Sequence, residues 1–461
     1  MGKGKNEVNM LSGSIFKGLM AITIPIMIMN VLQSLVGVVD MSMLKMLGKP
    51  DAVGAVGASS TLVSLITGLL IGISSGSSVV VARYIGKKDP ESVEKAVGTA
   101  YALALLGGLI IAVIGVVFGE VFITWMNCPV ELFDKAVLYF RIYFCGIPIM
   151  MIYNFSAAIL RAMGDSKHPM LYLTLGNVLK IALNAFFVLA FDTDVVGVAL
   201  ATIICQTLAG VLSFIVILKN DGIVKFKVKH FKFYGKHVKE ILYIGIPAGL
   251  QQALYSLANV IITSTVNAEG EYATTGISIA NHFDGILYQI AVAPSLATMS
   301  YVSQNVGTGN LKRARKATGT AMLISIMFAA SLGALSAIFS RSLASLMSDV
   351  PEVISYAQQK MIIISSTYFI CGINEIMGAT LRGMNNPIVP TISTFLFMCA
   401  IRFVWVFALY PFFKGNLTFL YLVWPVGWIL SICFLSIAFI FTYKKLKKKF
   451  SKQEEQIETV A

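Results

Sequence analysis

The sequence predicts an all-α polytopic membrane protein, with twelve transmembrane helices in two six-helix lobes related by a pseudo-two-fold axis along the membrane normal. Three observations predict it. Of 461 residues, 57% are hydrophobic and only 13% are charged, whereas soluble chains carry about 25% charge; mean hydropathy is +0.79. Apolar runs of roughly 20 residues, the length that crosses a bilayer, recur along the whole chain. The second half of the chain also repeats the first. There is too little Asp, Glu, Lys and Arg to coat even one soluble domain. The six cysteines (Cys128, Cys145, Cys205, Cys371, Cys399, Cys433) are scattered without CxxC spacing, against a disulfide scaffold or a zinc or redox site.

The first apolar run, from about Ile15 to Leu44, is too long for a signal-peptide core and no small-residue cleavage site follows it, so it is span 1. Spans 2 to 6 start near Val53, Ala96, Val137, Pro169 and Val195; spans 7 to 12 start near Ile241, Ala273, Ala314, Ile354, Pro390 and Leu417. Between the two sets lies one long break, basic and interleaved with Phe226, Phe231, Phe233 and Tyr234. Its composition suits a linker lying on an anionic inner leaflet. The expected organisation is an N-lobe at 1–219, a cytoplasmic basic linker at 220–239, a C-lobe at 240–443 and a cytoplasmic tail at 444–461. The period-2 alternation of a membrane β-barrel is absent.

Twelve spans put both termini on one side. That side collects Lys3, Lys5, Lys17, the basic residues from Arg83 to Lys95, Arg161, Lys167, the linker lysines, Lys312 to Lys316, Arg382 and the tail lysines from Lys444 to Lys452. The opposite loops hold only Lys45, Lys49, Lys135, Arg341 and Lys414. The positive-inside rule makes the richer side cytoplasmic, and the expected location is the plasma membrane. The net charge of +13 lies between apolar spans, which points to a membrane surface and away from nucleic acid.

The repeat is visible residue by residue. At a spacing of 221, Leu160-Arg161-Ala162-Met163 with Pro169 matches Leu381-Arg382-Gly383-Met384 with Pro390, and Lys95-Ala96 through Ala100 matches Lys316-Ala317 through Ala321. At 222, Ile24-Pro25 matches Ile246-Pro247 and Ser34-Leu35 matches Ser256-Leu257. Six spans return the chain to its starting side, so the halves are parallel repeats. Such architecture suits a carrier with a site near the midplane, at the interface of two rocking bundles, better than a pore.

At this point the chain resembles the multidrug and toxic compound extrusion (MATE) family, over nearly its whole length. The matching pieces are Pro25 with Gln33-Ser34-Leu35 and Val39-Asp40 in span 1, Leu160 to Asp165 after span 4, Gly176-Asn177 in span 5, Gly197-Val198-Ala199 with Ala201-Thr202 entering span 6, and Ser303 to Asn310 after span 8. The span 1 pattern most resembles the prokaryotic branch whose coupling acid lies in the N-lobe. The resemblance implies a two-lobed antiporter expelling amphipathic, often cationic compounds in exchange for protons or sodium.

An ionisable side chain at the bilayer centre costs about 2.5–3.5 kcal/mol on insertion scales, so each needs a reason. The chain offers Asp40, Lys180, Asp284, Glu375 and Arg402, with Arg141 and Lys360 expected near span ends, where long side chains snorkel. Asp40 shares a helix face with Gln33 and Gly37 and is expected to line the N-lobe cavity as a cycling carboxylate; a permanent structural pair is the competing reading. In span 5, Asn177, Lys180 and Asn184 share a face. Many relatives, by resemblance, carry Asn and Asp where this chain has Lys180 and Asn184. An ammonium beside Asp40 would take a sodium ion's place, and like charges 4 Å apart repel by about 4 kcal/mol at an effective dielectric of 20. The expected coupling ion is therefore the proton. The alternative for Lys180 is a permanent ion pair with Asp40. Asn154, Asn177 and Thr202 are expected as polar neighbours of the pair, or as satisfied interhelical hydrogen bonds. In the C-lobe, Glu375 falls on Asn154 at spacing 221 and Arg402 lies one place from the repeat position of Lys180, so a Glu375–Arg402 pair is expected to parallel Asp40–Lys180. Cation attraction by Glu375 or Asp284 and a structural role are evenly matched.

Twenty-one Met and 29 Phe suit a promiscuous pocket, although most such residues face lipid or pack helices. The four histidines show no metal spacing, and no GxxxxGK[ST] loop argues for direct ATP drive. The expectation is a monomeric secondary exporter of small organic, cationic compounds, needing no cofactor or metal and not an enzyme. Its rivals are a sodium-coupled antiporter, a flippase for lipid or lipid-linked cargo, which would want a cavity rich in Arg and Lys, and a membrane-embedded transferase, which would need a catalytic His or Asp cluster.

Overall fold

The computed structural model describes residues 7–46, 50–126, 128–191, 193 and 195–460; the side chains of 37–46, 50–53, 58, 60, 61, 188, 189, 453, 454 and 456–460 lie outside the description. Most of the described residues are helical, and there is no strand among them. In chain order the helices are α1 (Ile15–Met46), α2 (Pro50–Gly86), α3 (Pro90–Trp125), α4 (Val130–Cys145), α5 (Ile147–Met163), α6 (Lys167–Phe191), α7 (Val195–Leu218), α8 (Gly235–Asn267), α9 (Glu271–Gly307), α10 (Leu311–Ile338), α11 (Ser340–Ser345), α12 (Pro351–Gly383), α13 (Ile388–Thr394), α14 (Ile401–Val404), α15 (Leu417–Tyr421) and α16 (Val423–Val460).

Ten stretches within these helices are long and apolar enough to cross a membrane, and α4 with α5, bent by 48° at their junction, makes an eleventh. The bend follows from Gly146 and Pro148, which together interrupt the helical ladder. Helix α8 occupies the place of the twelfth span. At 33 residues it is long enough, but Gln251, Gln252 and Asn259 make it more polar than its neighbours. Gln252 and Asn259 wall a cavity, and Gln251 accepts from Arg382 Nη1. The exposed faces are apolar, as lipid requires. On α3, Leu106, Ile110, Val113 and Val117 form an exposed stripe at helical spacing, with Val113 and Val117 each 61% exposed. A soluble helix would turn that stripe inward.

The chain divides into two compact units, Met1–Val8 with Ile28–Gly249 and Asn9–Met27 with Leu250–Ala461, so α1 and α8 each contribute to both. Within unit 1, small residues let backbones touch: a Cβ added at Gly76 would stand 2.2 Å from the Ile241 carbonyl oxygen. Close packing of this kind is the main cohesive force between helices where lipid is as apolar as leucine. The basic segment after α7 also belongs to unit 1. Lys227 Nζ lies 2.7 Å from Glu94 Oε1, and the His230 carbonyl sits so near α3 that a Cβ at Gly98 would approach it to 2.0 Å. This segment is therefore docked on protein along one edge, while Val228, Phe231 and Phe233 stay exposed.

Unit 2 has its core around Ile262, Tyr368, Leu420, Tyr421 and Trp428, with α10 against α12 through Gly333, whose added Cβ would meet the Ser365 carbonyl at 2.1 Å. The stretch from Ile388 to Leu409 is not uniform. π-Helical turns at Phe395–Ala400 and Trp405–Leu409 flank α14. Such wide turns concentrate at functional sites, and α14 carries Arg402.

Candidate transport cavities

Each unit holds a cavity lined in part by polar side chains. In unit 1 it measures about 180 Å³ and is lined by Gln33 from α1, Tyr139 and Tyr143 from α4, Leu173, Asn177 and Lys180 from α6, and Thr202, Cys205 and Gln206 from α7. Helical spacing explains the convergence: Asn177 with Lys180, and Thr202 with Gln206, are three and four residues apart and share a face. The hydroxyl of Thr202 donates to the Val198 carbonyl at 2.8 Å, and the Tyr143 hydroxyl lies 3.2 Å from Thr67 Oγ1. Two buried amide atoms on the wall, Asn177 Nδ2 and Gln206 Oε1, have no hydrogen-bond partner within the described chain. A desolvated amide without a partner costs about 1–3 kcal/mol, so both favour an occupant that can bond them.

Of the residues expected in the N-lobe site, Gln33, Asn177, Lys180 and Thr202 come together here. Asn154 does not: its Nδ2 donates to the Met150 carbonyl at 2.8 Å, one turn back on α5. Asn184 is buried on α6 but is not part of the lining. Asp40 belongs to α1, and its side chain lies outside the described residues. The sequence reading missed Tyr139, Tyr143 and Gln206.

The unit 2 cavity is larger, about 430 Å³, with α8 contributing Tyr255 and Asn259, α9 Asn281, Asp284 and Tyr288, α12 Lys360 and Tyr368, α14 Arg402, and α16 Trp424 and Trp428. Lys360 is 3% exposed; it does not snorkel to a helix end. Its ammonium lies 2.9 Å from Asp284 Oδ2 and also bonds Asn281 Oδ1. A buried carboxylate and a buried ammonium each need such a partner, since either alone costs several kcal/mol of desolvation. Glu375 stands behind the wall, accepting from the Tyr255 hydroxyl at 2.7 Å. Arg402 donates from Nη1 to Asn259 Oδ1 at 2.6 Å and lies over the Trp424 ring, 5.1 Å from its centre. Among the described residues no ion pair joins Glu375 to Arg402, so the expected parallel with Asp40–Lys180 fails on the C-lobe side. The neutral amide of Asn259 is nearer the guanidinium, and the tyrosine satisfies the carboxylate.

The repeat relates the two cavities wall by wall. At spacing 222, Gln33 corresponds to Tyr255, Thr202 to Trp424 and Gln206 to Trp428; at 221, Tyr139 corresponds to Lys360 and Tyr143 to Ile364. Lys180 meets Arg402 at 222, one residue beyond the 221 that pairs Pro169 with Pro390, with the π-helical turn at Phe395–Ala400 lying between. Carried through, this register would have found Tyr255, Lys360 and both tryptophans from the sequence alone. Each cavity thus keeps a cation at one equivalent place, Lys180 or Arg402, while the residues around it differ.

The MatE family model matches the chain twice, over residues 25–186 and 247–407, beginning at the two prolines that the repeat pairs. Over 440 residues the chain is 26% identical to the "Probable multidrug resistance protein YoeA" of Bacillus subtilis (strain 168), covering 94% of this chain and 95% of that one. Over 406 residues it is 25% identical to the "Probable multidrug resistance protein NorM" of Thermotoga maritima, covering 87% of each. Its fold is that of a solved "multidrug resistance MATE family transporter of the MOP superfamily" in its outward-facing conformation, at a TM-score of 0.87 and 22% identity, over 97% of this chain and 100% of that one.

Proposed function

The chain belongs to the MatE family, a family of transporters and not of enzymes, and from that premise we propose that it is a secondary active antiporter exporting amphipathic organic compounds in exchange for protons. The relatives named multidrug resistance proteins support the drug-export part of the reading. The observation that carries the coupling part is the unit 1 cavity. Lys180 stands on its wall beside Asn177, Thr202 and Gln206. An ammonium in a cavity of about 180 Å³ repels a second cation strongly at low dielectric, which disfavours sodium. A proton can instead be carried on a side chain, with Asp40 and Lys180 as the groups that exchange it.

Cationic cargo, the class expected from the sequence, would use the carboxylates of unit 2. Asp284 already holds Lys360 and Glu375 holds Tyr255, so a cationic compound binds by taking Lys360's place on Asp284. We further place the protein in the plasma membrane with both termini cytoplasmic, acting as a monomer through lobes at 1–219 and 240–443. The basic, aromatic face of the 220–239 linker meets the anionic leaflet. Cells expressing the chain should hold less ethidium at steady state than control cells, and a protonophore should abolish the difference. Equal accumulation in both would contradict the proposal.

A further inference from the structure

We propose that the unit 2 cavity is also an anion site, in which Arg402 receives the carboxylate of an aromatic organic acid. The inference rests on the exporter reading and names a cargo class for it. Arg402 is 2% exposed and lines the cavity. Of the other buried charges, Lys360 has Asp284 as its counter-ion, and Glu375 accepts from the Tyr255 hydroxyl. Arg402 differs. Among the described residues its one hydrogen-bond acceptor is the neutral Asn259 Oδ1, and no carboxylate forms an ion pair with it. A guanidinium carries five N–H donors in a planar fork, and one bond leaves most of that fork unused.

A buried cation without a counter-ion is costly, because desolvation removes hydration that nothing replaces. The protein holds this one in place from two sides. Asn259 fixes one nitrogen at 2.6 Å, and Trp424 supplies its ring face at 5.1 Å, a weak substitute for a counter-ion. The two π-helical turns on either side of α14 set the local backbone that presents it. The cavity beyond is about 430 Å³, the size of a drug-like ligand site. Tyr288, Tyr368 and Trp428 line it as well, giving flat apolar walls for an aromatic body while the fork takes two carboxylate oxygens. Unit 1 offers no equivalent: the repeat position of Arg402 holds Lys180, a point charge without a fork, and Thr202 and Gln206 stand where unit 2 has its tryptophans.

The test is calorimetric titration of the purified full chain with 2-naphthoate, its neutral isostere 2-naphthamide and the cation 2-naphthylmethylammonium. The expected result is 2-naphthoate binding about tenfold or more tightly than either of the others, the span of a charge-assisted bond. Arg402→Met should bring 2-naphthoate down to the level of the amide, and Arg402→Lys should fall between. Asn259→Asp is the second variant: it gives the guanidinium a permanent counter-ion without changing shape, and should erase the carboxylate preference in a folded protein. No preference for the carboxylate in the unaltered chain, or an undiminished preference in Asn259→Asp, overturns the inference. Proton-driven ethidium movement in the same preparation separates the two claims. Dye export without carboxylate preference removes the anion site alone, whereas carboxylate preference without any proton-driven movement leaves the site standing and removes the exporter reading.

Discussion

Arg402 and Lys360 show two ways of burying a cation, and they predict opposite behaviour. Lys360 is locked to Asp284 at 2.9 Å. Lys360→Met therefore leaves a buried carboxylate without its ammonium, and should destabilise the protein by about 3–5 kcal/mol. Adding Asp284→Asn should recover most of that loss, which a thermal-unfolding double-mutant cycle in detergent would measure; strictly additive losses would show that the two do not form a pair. Lys180 makes a functional prediction. If its charge is what excludes sodium from the unit 1 cavity, Lys180→Asn should confer a sodium dependence on transport that the unaltered chain lacks, read as efflux rate against external sodium. At this scale the sequence revealed identities better than partners. Helical spacing puts Gln33 on the Asp40 face and Asn177 beside Lys180, while Thr202 stands out only through the family resemblance; all but Asp40 line one cavity. The Lys360–Asp284 pair was hidden, because it joins residues 76 apart on two helices whose packing no local pattern encodes.

The elements were legible where their cause is local. Apolar runs located the spans, and helices such as α7 and α15 begin where the apolar pattern does, at Val195 and Leu417. Others, α3 and α4 among them, begin several residues earlier, since polar first turns such as Pro90-Glu91 and Val130-Glu131 are helical without being apolar. The docking of the linker was hidden for another reason: a lysine-rich segment reads as solvated, and only the packing of Gly98 and the ion pair with Glu94 show that it rests on α3. Gly98→Val should lever the segment away and speed tryptic cleavage at its lysines several-fold, by lowering the cost of local opening; an unchanged cleavage rate would show that the contact does not hold it. The start of α3 gives a pH prediction. Asp89 caps it, accepting from the Ser92 N–H at 3.0 Å, and its hydrogen bonds to Ser92 hold its carboxyl below the usual range. Because the folded pKa is the lower one, the stabilisation is complete above the ordinary carboxyl range, near pH 4, and is lost as pH falls through the lowered value. Asp89→Ala should cost about 1 kcal/mol at neutral pH and progressively less in acid, as hydrogen exchange of the first α3 amides would report.

For the whole molecule, the duplication is the fact from which most else follows. It gives two units with a cavity each, in which the same helix positions contribute the walls. Divergence between the copies then separates the chemistry: among the described lining residues, amides, hydroxyls and Lys180 in unit 1, an ion pair, an arginine and two tryptophans in unit 2. The repeat was plain in the sequence, because prolines, glycines and basic clusters at span ends keep their spacing. What each copy does with its cavity was less so, since one substitution at an equivalent place, Lys180 for Arg402, changes the ligand chemistry without disturbing the pattern. The measurement that bears most directly on the central claim is dye countertransport by the purified chain in proteoliposomes, under a proton gradient alone and under a sodium gradient alone. Proton-driven movement with no response to sodium is the predicted result; movement driven by the sodium gradient alone would contradict it.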